Sequence, residues 1–193
     1  MKKLICFILM ILIIIISSVY LNINHKYNVK QDEIVNFINS NEIISKSLGY
    51  DKVVHEDIKE IMDVDNKKLV FLKVDKQIWL CEFTKGVNNK YKYERIIGTS
   101  RLFLESLIKT DKKDYFIICG YNYGNEISYR KVLLEGKEYK IKIPNNKEAF
   151  IIFEPIERSK GYAILPALEL YDDKNKNITS YIYEKYTQYF KNL

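Results

Sequence analysis

The chain has 193 residues, of which 47% are hydrophobic and 29% charged, a globular composition long enough for about one domain. Its net charge of +6 is concentrated near the N-terminus, because residues 1–30 hold four lysines and no acid, which leaves 27 of the 31 bases against 25 acids in residues 31–193. This near balance argues against a nucleic-acid-binding domain, and three cysteines exclude a disulfide-rich scaffold.

The first 25 residues predict a transmembrane helix. Lys2 and Lys3 precede residues 4–21, which carry no charge. Eighteen helical residues span roughly 27 Å, which is close to the thickness of the hydrocarbon core of a bilayer. We therefore predict an uncleaved anchor over residues 1–25 that contacts the membrane through residues 4–21, followed by a juxtamembrane tether over residues 26–30.

The charges beside the apolar segment predict its orientation. The amino terminus with Lys2 and Lys3 favours a cytoplasmic N-terminus, with the main domain outside the cell. The alternative is a secreted protein cleaved near Ser18, because residues 4–16 also have the length of the hydrophobic region of a signal peptide. The bulky Ile16 at the −3 position of that site disfavours cleavage.

Two segments of the remaining chain have helical patterns. Residues 31–48 place apolar side chains near one face and end before Gly49, and the polar trio of residues 39–41 could divide this helix into two. Residues 178–193 have apolar side chains at helical spacing, although their first turn could also begin as a strand. We predict an N-terminal helix and a C-terminal helix around the rest of the domain.

Between the helices, short runs rich in Val, Ile, Phe and Tyr alternate with turn-forming residues, which predicts antiparallel strands. The predicted strands are residues 58–64, 69–74, 77–84, 91–97, 114–119, 127–134, 138–143, 149–154 and 164–171. Residues 102–108 fit a strand or a helix equally well. About eight or nine strands predict a mainly β fold, an antiparallel meander, sandwich or open barrel, in a single extracytoplasmic domain over residues 31–193.

Three segments carry a resemblance to a known group of proteins. Residues 115–120 (Tyr-Phe-Ile-Ile-Cys-Gly), the hairpin over residues 132–140 and residues 168–173 (Leu-Glu-Leu-Tyr-Asp-Asp) follow the N-terminal apolar segment in that order. This arrangement resembles small exported or membrane-anchored β-rich proteins of low-GC Gram-positive bacteria that have no assigned activity. The resemblance covers residues 1–25 and 110–178, implies location and architecture, and supplies no catalytic residue.

Residues for catalysis or metal binding are sparse. His55 is the one histidine away from the membrane segment, and no nucleophile-elbow sequence accompanies it, so we interpret residues 55–57 as a solvated turn. Asp173, Asn175, Asn177 and Glu184 have the spacing of a calcium loop, but Ile178 occupies the position that requires glycine. We interpret residues 172–177 as a polar turn, and we predict no catalytic set, metal or cofactor.

Two groups of residues are candidates for a site or a cross-link. Tyr121, Tyr123 and Tyr129 lie in or near a loop and could stack on a sugar or a peptide, although tyrosine is common throughout this chain. Cys81 and Cys119 both face inward by strand alternation, so they could meet between two sheets and form a disulfide. The alternative is that Cys81 and Cys119 are two independent buried thiols.

The sequence favours a non-catalytic binding or interaction module at the cell envelope, carried on a single membrane anchor. Its partners would be the membrane and an envelope protein or wall ligand, and no nucleic acid. The alternative is an exported, glycosidase-like hydrolase that uses carboxylates scattered along the chain. A third hypothesis is that the protein is an accessory subunit whose exposed apolar patch binds a partner.

Overall fold

The computed structural model describes residues 2–49, 53–134, 136–145, 148–157 and 169–191, with side chains for all of these except 2–4, 123 and 188–191. The helices are α1 (Lys2–Lys26), α2 (Ile34–Ser40), α3 (Glu42–Leu48) and α4 (Thr179–Lys191). The strands are β1 (Ile58–Val64), β2 (Lys67–Val74), β3 (Gln77–Lys85), β4 (Tyr91–Thr99), β5 (Phe103–Lys109), β6 (Asp114–Tyr121), β7 (Tyr129–Leu134), β8 (Lys137–Lys142), β9 (Ala149–Ile156) and β10 (Glu169–Tyr171).

The fold is mainly β, as predicted, with ten strands in three antiparallel sheets within the described ranges. Residues 103–108 of the ambiguous segment belong to strand β5, which extends to Lys109, because pairing with the fully buried β6 outweighs a weak helical pattern. Pro155 lies within β9, which is an edge strand and so tolerates the missing backbone donor. Of the strand predicted at 164–171, residues 169–171 form β10, and residues 164–168 lie outside the described ranges.

The first sheet is a four-stranded meander in the order β1-β2-β3-β4. Both of its faces are covered, since successive residues of β2 belong to different cores: Phe71 packs on one side and Val70 and Leu72 on the other. Strand β2 therefore reads as a nearly continuous apolar run instead of an alternating one. Two separate hydrophobic clusters result from this double coverage.

The pair α2–α3 covers one face of the first sheet. Ile38 and Ile44 are fully buried there, in a cluster that also holds Cys81 and Phe83 of β3. The predicted helix over 31–48 is divided at Asn41, whose side-chain oxygen caps α3 by accepting hydrogen bonds from two backbone amides. Gly49 then ends α3 in the left-handed conformation, with φ of 70°.

The second sheet, in the order β5-β6-β9, packs on the opposite face of the first sheet. A polar group in the first sheet also reaches the second sheet: Glu82 accepts from Arg95 at 2.7 Å and pairs with Lys67 at 2.8 Å, both within the first sheet. The Arg95 guanidinium also donates to the hydroxyl of Ser106 on β5. At the β1 edge of the first sheet, the backbone amide of Ile151 donates to a β1 carboxylate. The arrangement is a sandwich and not a closed barrel.

The third sheet, in the order β10-β7-β8, packs with α4 against the second sheet. Arg130 of β7 points inward and is 1% exposed, and its guanidinium pairs with Glu105 of β5 and lies over the ring of Phe116. Ile182 and Tyr186 of α4 are buried in the same cluster. The C-terminal helix is thus part of the core, as its apolar spacing predicted.

The end of α1 is joined closely to the domain. Val29 is buried and pairs with Tyr91 through two backbone hydrogen bonds of 3.0 and 2.7 Å. The side-chain amide of Asn88 donates to Asn24 and to the carbonyl of Tyr27. Residues 27–29, predicted as part of a tether over 26–30, are therefore held against the turn between β3 and β4.

Candidate functional site

The predicted tyrosine loop contributes less exposed aromatic surface than its sequence suggested. Tyr121 is buried, with its ring 5.9 Å from that of Phe71 and 4.9 Å from the Lys73 ammonium. Tyr129 is also buried, because its ring stacks on Tyr171 with centroids 4.8 Å apart. The backbone of Tyr123 begins a short 3-10 turn. Ligand contact by these three tyrosines stays a prediction.

A buried asparagine shapes the loop that follows β6. The Asn122 side chain donates to the carbonyls of Ile127 and Pro144, both at 2.9 Å, and accepts from the amide of Ile127 at 3.1 Å. Asn122 is almost fully buried, so these bonds satisfy groups that water does not reach. They hold the 122–128 loop against residues 144–145. Sequence reasoning missed this role, since a single Asn in a loop is an ordinary turn residue.

In the turn before α4, polar side chains accept hydrogen bonds from the backbone of the same turn. Asp172 accepts hydrogen bonds from the amides of Lys174 and Lys176 at 3.0 and 2.8 Å, and Asn177 accepts from the amide of Thr179. Asn175 accepts from the hydroxyl of Tyr129. This is the polar turn predicted for residues 172–177, and the side-chain oxygens of Asp172 and Asn177 serve backbone donors.

These two loops and the start of α4 enclose a pocket of about 340 Å³, which we call the acidic pocket. Its lining residues are Asn125, Glu126, Ser128, Asn145, Asp172, Asp173, Ile178 and Tyr181. Three carboxylates, two amides and two hydroxyls face one apolar side chain, so hydrogen-bond acceptors and negative charge predominate in a chain of net charge +6. Such a lining suits ligands that carry hydroxyl or amine donors.

Glu126 links the acidic pocket to α4. One of its carboxylate oxygens accepts from the Lys185 ammonium at 2.6 Å and from the Tyr181 hydroxyl at 3.4 Å. The other oxygen is buried and has no hydrogen-bond partner among the described residues. A buried carboxylate oxygen has a high affinity for a donor. One oxygen of Glu126 thus serves the fold and the other is a buried acceptor, in a residue that also lines the pocket.

The acidic pocket and the end of α1 lie at opposite ends of the sandwich. The amide of Lys85, beside the helix exit, donates to Asn66, whose side chain accepts from the amide of Asp111 just before β6. The eight residues of β6 then run for about 25 Å to Tyr121, next to the pocket loop. The pocket is thus on the side of the domain away from α1.

Other candidates for chemistry are dispersed. His55 is exposed in a 3-10 turn with Glu56 and Asp57, in agreement with the solvated turn expected there. Within the described ranges, no three His, Cys, Asp or Glu side chains are placed to hold a metal ion. We take the acidic pocket as the candidate site.

Both inward-facing cysteines are buried free thiols in this structure. Cys81 shares a face of β3 with Phe83, as the alternation predicted, but that face is covered by α2 and α3. Cys119 belongs to the other cluster, between the sheets. The first sheet separates the two sulfur atoms, an arrangement that fits the alternative of two independent buried thiols. Strand alternation identified the buried faces but could not show which layer covers each one.

This placement makes a testable prediction about thiol reactivity. Burial raises the pKa of Cys81 to about 12 and raises the pKa of Cys119 further, so neither thiol supplies appreciable thiolate at pH 8. In detergent micelles at pH 8, we expect a maleimide reagent to leave Cys81 and Cys119 unmodified in the native chain and to modify both after denaturation. A disulfide would instead be demonstrated if Cys81 and Cys119 reacted with maleimide in denaturant only after a reductant was added.

Comparison with known proteins finds no matching family model, no matching curated protein and no matching solved structure. The fold and the pocket define the chain as a mainly β domain that carries an acceptor-rich pocket and follows an apolar N-terminal helix.

Proposed function

We propose that this protein is a membrane-anchored, extracytoplasmic binding module that presents the acidic pocket to the cell envelope. The pocket itself is the observation that carries the proposal: Glu126, Asp172 and Asp173 line one polar cavity of about 340 Å³. Its ligand would be a wall component or envelope protein that offers hydroxyl or amine donors. We regard residues 31–193 as one extracytoplasmic domain.

The features of α1 support the anchor. Residues 5–26 form a helix long and apolar enough to cross a membrane, and none of that helix is buried against the domain. The helix continues without a break through Ser18 to Lys26, and its last turn contacts Asn88. We favour retention of the helix, with a cytoplasmic N-terminus, over cleavage near Ser18, because the bulky Ile16 occupies the −3 position of that site.

The position of the pocket supports a binding role. Because the pocket lies at the far end of β6 from the exit of α1, an anchored domain would hold it away from the bilayer. A polar ligand of the envelope could then reach it without crossing the headgroup region. The net negative lining would favour cationic or donor-rich groups over the anionic polymers that also occupy an envelope.

A binding experiment on the full chain in lipid nanodiscs tests this proposal. The probes are glucosamine, tetra-N-acetylchitotetraose and a short lysine-bearing peptide, each followed by thermal shift and calorimetry. We expect at least one probe to raise the melting temperature. Asp173→Asn should then weaken binding by about tenfold or more, because a hydrogen bond to a charged group contributes roughly 1.5–3 kcal/mol.

Glu138→Gln provides the matched control, since Glu138 is an exposed carboxylate on β8 that pairs with Lys131 and does not line the pocket. Its affinity for the probe should equal that of the unmodified chain. Equal losses in the two variants would contradict the assignment of the pocket, and no shift with any probe would contradict this ligand class.

A hydrolase is the second candidate, because three carboxylates from two separate loops line one cavity. Two of them have structural partners: Asp172 accepts from two backbone amides, and Glu126 pairs with Lys185. This engagement favours binding over proton transfer. Turnover of the chitotetraose or clearing of cell-wall suspensions, abolished by Glu126→Gln, would establish hydrolysis. Binding without product would support the module.

A further inference from the structure

We propose that the surface around the exit of α1 binds the anionic surface of the same bilayer that α1 enters. This helix-exit surface consists of Lys26, Lys30, Lys85, Val87 and Lys90. The inference rests on the membrane anchoring proposed above, and it adds a second point of membrane contact on the folded domain.

The turn between β3 and β4 is held level with the end of the apolar segment. The Asn88 side chain bonds to Asn24 at 3.1 Å, one residue after Ile23, the last apolar residue of α1. Gly86 lies so close to Tyr27 that a β-carbon there would be 2.6 Å from the ring. The turn therefore cannot move far from α1, and a helix rise of about 1.5 Å per residue places it at the edge of the hydrocarbon core.

Val87 gives the turn an apolar tip. It is 85% exposed, more than any other large apolar side chain among the described residues, α1 included. A single exposed apolar residue is ordinary on a protein surface, but this one projects beside a membrane-spanning helix. At that level its side chain would enter the boundary between headgroups and acyl chains, where burial is favourable.

The lysines around Val87 complement an anionic leaflet. Lys26 and Lys85 are exposed, and Lys90 is half-buried beside them. Lys30 is partly compensated by Glu33, with which it pairs at 2.8 Å. A basic residue near an anionic membrane surface strengthens binding by about fivefold. The combination of an apolar tip and flanking lysines is the pattern of an interfacial contact.

Membrane contact at this surface would set the orientation of the domain. With α1 and the β3–β4 turn both at the bilayer, the domain has two points of attachment and little freedom to tilt. The acidic pocket, at the opposite end of β6, would then face the cell wall at a defined height. A flexible tether would instead leave the pocket free to approach the membrane.

The test uses the full chain in vesicles of phosphatidylglycerol and phosphatidylcholine. An environment-sensitive fluorophore is attached at one introduced cysteine in a Cys6→Ser background, in which the buried Cys81 and Cys119 remain. Val87→Cys reports on the turn, and Ile13→Cys reports on α1. Ser100→Cys is the matched control, because it is exposed and lies about 27 Å from the turn, at the other end of β4. Spin-labelled lipids serve as quenchers.

We expect quenching at positions 13 and 87, with that at 87 about threefold or more above that at 100. If position 13 is quenched but position 87 is quenched no more than the control position 100, the proposed contact is overturned and the anchor is left intact. No quenching at 13 would overturn the anchor, and this inference with it. The double change Lys85→Gln and Lys90→Gln should reduce quenching at 87 in anionic vesicles, and an unchanged value would overturn the role of the lysines.

Discussion

Replacement of Glu105 by Gln is expected to lower the free energy of unfolding by about 3–5 kcal/mol. Glu105 is the counterion of Arg130, which is 1% exposed, and the Nε and Nη2 atoms of Arg130 have no hydrogen-bond partner among the described residues. A neutral amide at 105 would leave a cationic guanidinium between two sheets without its carboxylate. An uncompensated buried charge is among the most destabilising changes in a protein core.

Fluorescence of Trp79, the single tryptophan, can follow urea unfolding of the full chain in detergent micelles. Glu138→Gln is the control, since its pair with Lys131 is largely exposed, and its effect should stay below about 1 kcal/mol. The double variant Glu105→Gln/Arg130→Met should recover most of the loss, because it removes the charge together with its partner. A double variant as unstable as Glu105→Gln alone would show that the loss arises from packing and not from charge.

Replacement of Phe71 by Ala is expected to cost about 3–5 kcal/mol and to loosen the loop beside the acidic pocket. Phe71 is fully buried between the first and second sheets, where its ring contacts Tyr121. Tyr121 directly precedes Asn122, the residue that holds the pocket loop. A cavity at 71 would remove support from Tyr121, so amides 122–127 should exchange hydrogen faster than in the unmodified chain.

Phe83→Ala is the matched comparison for this effect. Phe83 is fully buried too, but in the cluster with α2 and α3 on the other face of the same sheet. Both variants should be destabilised by similar amounts in urea. Hydrogen exchange measured by mass spectrometry should show faster exchange at 122–127 for Phe71→Ala and at 34–48 for Phe83→Ala. Identical exchange patterns would contradict the separation of the two clusters.

Local signals predicted most of the elements. The boundaries of β1 agree with the predicted 58–64, and α3 is bounded by its caps Asn41 and Gly49, because capping chemistry acts over three or four residues. Residues 102–108 could not be assigned from their pattern, because what makes them a strand is pairing with β6. Pairing partners distant along the chain leave no trace in a short window of sequence.

The site residues illustrate the same limit. The tyrosines of the 121–129 region were chosen for their chemistry, yet Tyr121 and Tyr129 are buried by Phe71 and Tyr171. The acidic pocket draws its carboxylates from position 126 and from positions 172–173. Those positions are about 45 residues apart in the sequence, and neither forms a recognisable motif. Only the pairing of β10 with β7 brings them together.

By itself, the sequence determined the apolar N-terminal helix, the mainly β composition and the faces on which residues are buried, because hydrophobic periodicity and turn chemistry are local properties. The tertiary structure alone decided that Cys81 and Cys119 lie in different cores, that the chain after α1 is docked on the β3–β4 turn, and that three carboxylates share a pocket. Each of these depends on how layers stack and which loops meet at one end of a sandwich, and such long-range contacts are selected by the packing of the whole core.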